Sequence, residues 1–183
     1  MNILIDKFPE TVRVNEKEYP VETDFREWIR FVKLVEDEDV PWRIKCRLLM
    51  QWYTDDIPDD LESSINALGD FLAMKQEENE QEDEISAKPP KQVYSFDEDM
   101  TWIYSAFREV YGINLQAVPY MHWWEFQTLF IGLPDNTEIK QRISQTYNVS
   151  ATYVDTSGNT EIWAYGTGYI ANHVMSVLVR CEI

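Results

Sequence analysis

The sequence predicts an α+β fold: an N-terminal β-hairpin, a mainly α-helical body of about five helices, and a β-rich C-terminal segment. Three observations carry this prediction. Residues 11–21, "TVRVNEKEYPV", alternate apolar and polar side chains on both sides of a polar tip, the period-two pattern of paired strands. On either side of residues 77–92, from residue 24 to 76 and again to about residue 145, apolar residues recur at helical spacing. The remaining C-terminal residues turn to Thr, Tyr and Val, with "DTSGN" between two strand-like runs. The chain divides accordingly into a hairpin (1–22), a first helical part (23–76), an acidic linker (77–92), a second helical part (93–145) and the β-rich segment (146–183).

Residues 2–22 read as strand material, with Val12 and Val14 on one face, Tyr19 and Val21 continuing the alternation, and "NEK" at the tip. Pro20 has no N–H, so its strand belongs at a sheet edge or presents that side to solvent. Asp24 has the character of a helix N-cap, with Glu27 in the capping-box position. Trp28, Ile29, Val32 and Val35 form the stripe of that helix, and "EDED" at 36–39 ends it. Pro41 suits the first position of a second helix with Ile44, Leu48, Leu49 and Trp52 turned inward. "DDIPDD" at 55–60 leads into a third, whose inward residues are Leu61, Ile65, Leu68, Phe71 and Leu72.

"EENEQEDEISAKPPKQ" at 77–92 lacks apolar periodicity and reads as a tether or mobile loop. A capping box of Ser95 and Glu98 opens the next helix, with Trp102, Ile103, Ala106, Phe107 and Val110 as its stripe and Gly112 at its end. Pro119 opens a helix carrying Trp123, Phe126 and Phe130, closed by Gly132 and Pro134, and a shorter helix spans about 137–145. Beyond it we expect a hairpin and a further strand ending in Val177 to Ile183, with a helix over "YIANHVMSVL" as the other reading.

Charge excludes more than it assigns. Thirty-three acidic residues face sixteen basic ones, a formal net charge of −17, which argues against a broad phosphate-binding surface. Two readings remain: a solvated surface, or an acidic face that competes for a basic groove. At 44% apolar residues with seven Trp, the chain can bury a sizeable core. No apolar run reaches the roughly 18 residues of a membrane span, and "MNILIDKFPE" has no basic n-region, so a cytoplasmic protein without membrane partners is expected. Cys46 and Cys181 read as two reduced thiols, a disulfide being the other reading.

Catalytic patterns are scarce, and no enzymatic activity, cofactor or metal is expected. His122 and His173 are the only histidines, each isolated in an apolar context that suits a core imidazole better than a general base. No nucleophile elbow, zinc-protease motif or phosphate-cradling glycine loop is present. The acidic clusters at 36–39, 55–60 and 77–84 sit in polar turns and the linker, where carboxylates are normally solvated rather than holding Mg²⁺. "HWWEF" offers either aromatic platforms for base stacking or, as its helical spacing favours, core. The candidate partner-binding residues are therefore those of the hairpin tip: Arg13, Asn15, Lys17 and Tyr19. They combine cations, an amide and a ring suited to phosphate or base edges, and an ordinary solvated turn is the alternative.

Four stretches, "MNILIDKFPETVRVNEKEYPVETDFREWIRF", "DIPDDLESSINAL", "YSFDEDMTWIYSAFREVYGINLQ" and "YMHWWEFQTLFIGLPDNTEI", resemble a family of siphophage tail-region proteins of Gram-positive hosts. The resemblance runs from residue 1 to about 140 and implies a tail assembly chaperone that binds tail tube or tape-measure protein. It departs at "EENEQEDE", where the family has a Lys-rich segment, and beyond residue 140. A phage-derived body with a distinct C-terminal module and high negative charge is also similar to type II-A anti-CRISPR proteins, and "YIAN" is similar to a stretch of one such inhibitor. That likeness implies an inhibitor acting on the Cas9–guide RNA complex, with RNA or Cas9 contacted by the hairpin and the guide displaced or exposed to cleavage. The inhibitor is the leading expectation and the tail chaperone the alternative.

Overall fold

The computed structural model describes residues 2–75 and 94–151. They form an α+β arrangement of one two-stranded hairpin and six α-helices. Strands β1 (Thr11–Val14) and β2 (Lys17–Pro20) pair antiparallel with Val12 opposite Tyr19 and Arg13 opposite Glu18. Asn15 and Glu16 form the connection with φ of 47° and 68°, the left-handed pair that matches the twist of a two-residue hairpin. Val12 and Val14 are buried, and β1 lies on α3 (Leu61–Leu72). The strand expectation for residues 2–6 fails. Asn2 Oδ1 accepts from Leu4 N–H and Asp6 Oδ2 from Asn2 N–H, so polar side chains close a turn there, and the strand starts at Thr11.

Helix α1 (Phe25–Glu36) has the expected N-cap, the Asp24 carboxylate accepting from Arg26 N–H at 2.9 Å, but Glu27, expected to close a capping box, pairs with Arg30 instead. Its inner face holds Phe25, Trp28, Phe31, Val32 and Val35, with Ile29 half-buried. Helix α2 (Trp42–Leu49) and the 3₁₀ turn Met50–Trp52 correct the expected second helix. Ile44 is exposed, and the inward face is Lys45, Cys46 and Leu49. Lys45 buries its stem and donates from Nζ to the Val35 carbonyl (2.6 Å), satisfying one of the orphan acceptors at the end of α1. In α3, Ile65, Leu68, Phe71 and Leu72 are buried while Leu61, in the first turn, is exposed.

Helix α4 (Met100–Val110) starts later than expected. The Ser95 hydroxyl accepts from Asp97 and Glu98 N–H to form a turn ahead of the helix, and Asp99 occupies the N-cap position. Trp102 and Val110, expected in the core, lie at the edge of exposure, whereas Ile103, Ala106 and Phe107 are buried. Gly112, at φ +69°, lets Ile113 N–H turn back to the Phe107 carbonyl at 3.2 Å. Nothing lies within 4 Å of a Cβ placed on Gly112, so Gly112→Ala should cost only the left-handed backbone penalty, about 1 kcal/mol. An urea midpoint unchanged in that variant would refute the assignment.

Helix α5 (Trp123–Ile131) opens at Trp123 rather than Pro119, and α6 (Glu138–Ala151) runs past the expected 145. Residues 146–151, expected at the start of the β-rich segment, thus belong to a helix. The linker 77–92 and the expected strands beyond 151, with His173 and Cys181, lie outside the described residues. The core is an aromatic seam in which α1, α3, α4 and α5 meet. Phe126 stacks on Phe25 (4.8 Å) and on Phe107 (5.0 Å), while Trp28 stacks on Phe71 (4.7 Å). "HWWEF" is core. The indoles of Trp123 and Trp124 donate to the Leu72 and Phe71 carbonyls at 3.0 and 2.9 Å, satisfying acceptors at the C-terminal end of α3.

Candidate functional site

The hairpin tip is docked on the chain's own acidic turn. Asp60, the N-cap of α3, accepts from Ser63 N–H at 3.2 Å, from Ser63 Oγ at 2.6 Å and from Asn15 Nδ2 at 3.2 Å. These bonds, those of Ser63 foremost, hold its carboxyl below the usual range. Lys17 Nζ donates to Asp56 at 3.3 Å and lies 4.5 Å from the centre of the Tyr19 ring. The bond to Asp56 raises its pKa.

These contacts separate the four candidate residues. Arg13 projects from the exposed face opposite Glu18, while Tyr19 shares the face of Val12 and meets Tyr53 edge-on at 6.0 Å. The tip is also not cationic. Arg13 and Lys17 sit among Glu16, Glu18, Asp56 and Asp60, four carboxylates against two cations. The tip is thus a locally acidic turn, with Asn15 and Lys17 docked on the chain's own Asp60 and Asp56.

A second feature was not anticipated. A groove of about 410 Å³ opens between α1 and α4, lined by Phe25, Ile29, Met100, Ile103, Tyr104 and Leu115 among others. Ile29 lies four residues after Phe25, and Met100, Ile103 and Tyr104 repeat at helical spacing, so each helix presents one ridge. The Tyr104 hydroxyl is already bonded to Asn114 Oδ1 at 3.1 Å, which leaves apolar surface as the groove's main offering. Met100, largely exposed, forms its outer edge. The available signal was a second apolar stripe on α4, Met100–Ile103–Tyr104, beside the core stripe Ile103–Ala106–Phe107.

The groove is flanked at one end by carboxylates. Lys33, one turn beyond Ile29, binds Asp97 at 2.7 Å, and Asp97 adjoins Phe96 of the groove wall. Burial and the nearby Asp97 push the Glu36 carboxyl upward. "EDED" at 36–39 closes α1 at this end. Among the described residues, no group of three or more His, Cys, Asp or Glu side chains is placed to hold a metal ion. No described helix is long and apolar enough to cross a membrane.

Fold and surface together define an acidic α+β protein with an open apolar groove and a hairpin folded back on its own body. The chain belongs to the bacteriophage Gp15 protein family, whose profile matches residues 4–151. This establishes a phage protein, and the match extends past the expected limit near residue 140 to the end of α6. Comparison with curated proteins and with solved structures finds no match. Nothing in the family match bears on Cas9, guide RNA or anti-CRISPR activity.

Proposed function

We propose that this protein works by binding other protein chains during phage assembly, as a tail assembly chaperone for tail tube or tape-measure protein, without chemistry or cofactor of its own. It acts in the cytoplasm of the infected host. The observation that carries the reading is the open apolar groove on the acidic body of a chain from a bacteriophage family. At about 410 Å³ the groove lies within the size range of binding clefts.

The Cas9-inhibitor reading has the hairpin tip contacting RNA or Cas9, and two of its residues, Lys17 and Asn15, are bonded to the chain's own Asp56 and Asp60. It therefore becomes one arm of the test. Co-expression with tape-measure and tube proteins of a related phage should co-purify at least one of them, and DNA cleavage by guide-loaded Cas9 should proceed unchanged in the protein's presence. The variant Arg13→Glu with Lys17→Glu should retain the tail-protein complex. Inhibited Cas9 cleavage without any tail-protein complex would overturn the proposal, and loss of inhibition in the double variant would then return the hairpin to the mechanism.

A further inference from the structure

We propose that the groove between α1 and α4 is the docking site for one amphipathic helix of a partner protein, whose apolar face enters the groove and whose Lys or Arg residues meet the carboxylates at the Glu36–Asp97 end. The inference rests on the binding-protein reading above and adds to it the place and the chemistry of the partner. Two helical ridges, Phe25–Ile29 and Met100–Ile103–Tyr104, border an open trough, the relief into which a third helix packs its own i, i+3, i+4 ridge. With the Tyr104 hydroxyl already engaged by Asn114, the trough selects shape and apolar area rather than a small polar ligand.

Charge selects the sign of the partner. At the Lys33 end stand Glu36, Asp37, Glu38, Asp39, Asp97 and Glu98, together with the partly negative C-terminus of α1. Lys33 is paired with Asp97, and the six acidic residues of this end outnumber it, so the local field favours a partner's cation. Burial foremost, and then the nearby Asp97, pushes the Glu36 carboxyl upward. A second copy of this chain is the poorer occupant, since each copy brings a net charge of −17.

The test uses two labelled synthetic peptides of about 18 residues, long enough for roughly five helical turns. Both carry leucines on one face at i, i+3, i+4 spacing. One has lysines elsewhere and the other has glutamates. Fluorescence anisotropy at about 0.15 M salt should show the lysine peptide binding the full-length protein at least about tenfold more tightly than its glutamate counterpart. Thr101→Trp, which fills the trough, should weaken lysine-peptide binding at least about tenfold with an unchanged circular dichroism spectrum. Should that variant misfold, Met100→Ser at the exposed rim carries the same expectation. Asp97→Asn should weaken binding and flatten its salt dependence.

Equal binding of the two peptides, or wild-type affinity in both groove variants, overturns the proposal. Self-association in the free protein that Thr101→Trp abolishes would overturn it in favour of a second copy. Loss of peptide binding alongside retained tail-protein co-purification rejects this groove and leaves the assembly role standing. Groove-dependent peptide binding without a tail-protein complex does the reverse.

Discussion

Trp28→Ala should lose about 3–5 kcal/mol of folding stability, a large share of the roughly 5–15 kcal/mol a domain of ordinary size possesses. Trp28 is fully buried on α1 and stacks against Phe71 of α3 at 4.7 Å, with Phe31 at 5.1 Å and Trp123 of α5 at 6.3 Å. Truncation therefore opens a cavity where three helices meet, and rigid aromatic neighbours cannot collapse into it. The indole N–H also donates to the Glu22 carbonyl at 2.7 Å, just before α1, and that acceptor loses its partner. Trp28→Phe separates the two contributions, because it keeps much of the stack and gives up the hydrogen bond. It should cost about 1–2 kcal/mol. Trp102→Ala serves as the surface comparison, since that ring lies at the edge of exposure under Arg142 at 5.5 Å and should cost less than about 1 kcal/mol. Urea unfolding followed by circular dichroism ranks the three. A Trp28→Ala loss no larger than that of Trp102→Ala would show that the seam is not where the fold is held.

What could be read in the sequence depended on how local the determining physics was. The hairpin was legible because burial of Val12 and Val14 repeats every second residue, and the start of α1 because Asp24 and Arg26 settle it within three residues. The inner face of α2 was not, because Lys45 counts as polar in any pattern and yet spends its stem in the core to reach Val35. The start of α5 was hidden for a similar reason. Histidine stands outside the usual capping residues, so His122 went unread as a cap. The docking of the tip depends on partners about forty residues away, Asp56 and Asp60, which no local reading of "NEK" reaches. The groove is the extreme case. Its walls come from α1, from the start of α4 and from Leu115, and only the second stripe on α4 carried a hint.

Stability should fall as the pH drops below about 6.5, and His122 should account for a distinct part of the loss. Its Nδ1 accepts from Trp124 N–H at 3.0 Å, so the proton resides on Nε2, which donates to the Pro9 carbonyl at 2.9 Å. Phe8 stacks on the ring at 4.9 Å. One neutral imidazole thereby caps α5 and pins the segment ahead of β1. Protonation would set an N–H against the Trp124 N–H and add positive charge at a helix N-terminus. Burial accordingly lowers the pKa from the ordinary value of 6.5, with the Pro9 bond and the charges of Glu10 and Glu125 opposing it. Asp24, which bridges to His122 through the backbone, has its carboxylate held by Arg26.

The direction follows from proton binding. Between the lowered folded value and 6.5 the unfolded chain binds more protons, so the contribution is complete above 6.5 and is lost as pH falls through that window. Glu36, raised above its ordinary 4.5, acts oppositely, and the lowered Asp60 acts below 3.8, so the comparison must isolate the histidine. His122→Asn does so. Its amide oxygen can still cap Trp124 N–H, while nothing at that position titrates. Urea titrations at about pH 7.5, 6.5 and 5.5 should give a flatter profile for His122→Asn than for the natural chain. His122→Ala, which loses both the cap and the Pro9 bond, should cost about 2–3 kcal/mol at the highest pH. Identical slopes in the natural chain and His122→Asn would remove this imidazole from the acid response, because no other change between them alters proton uptake in that window.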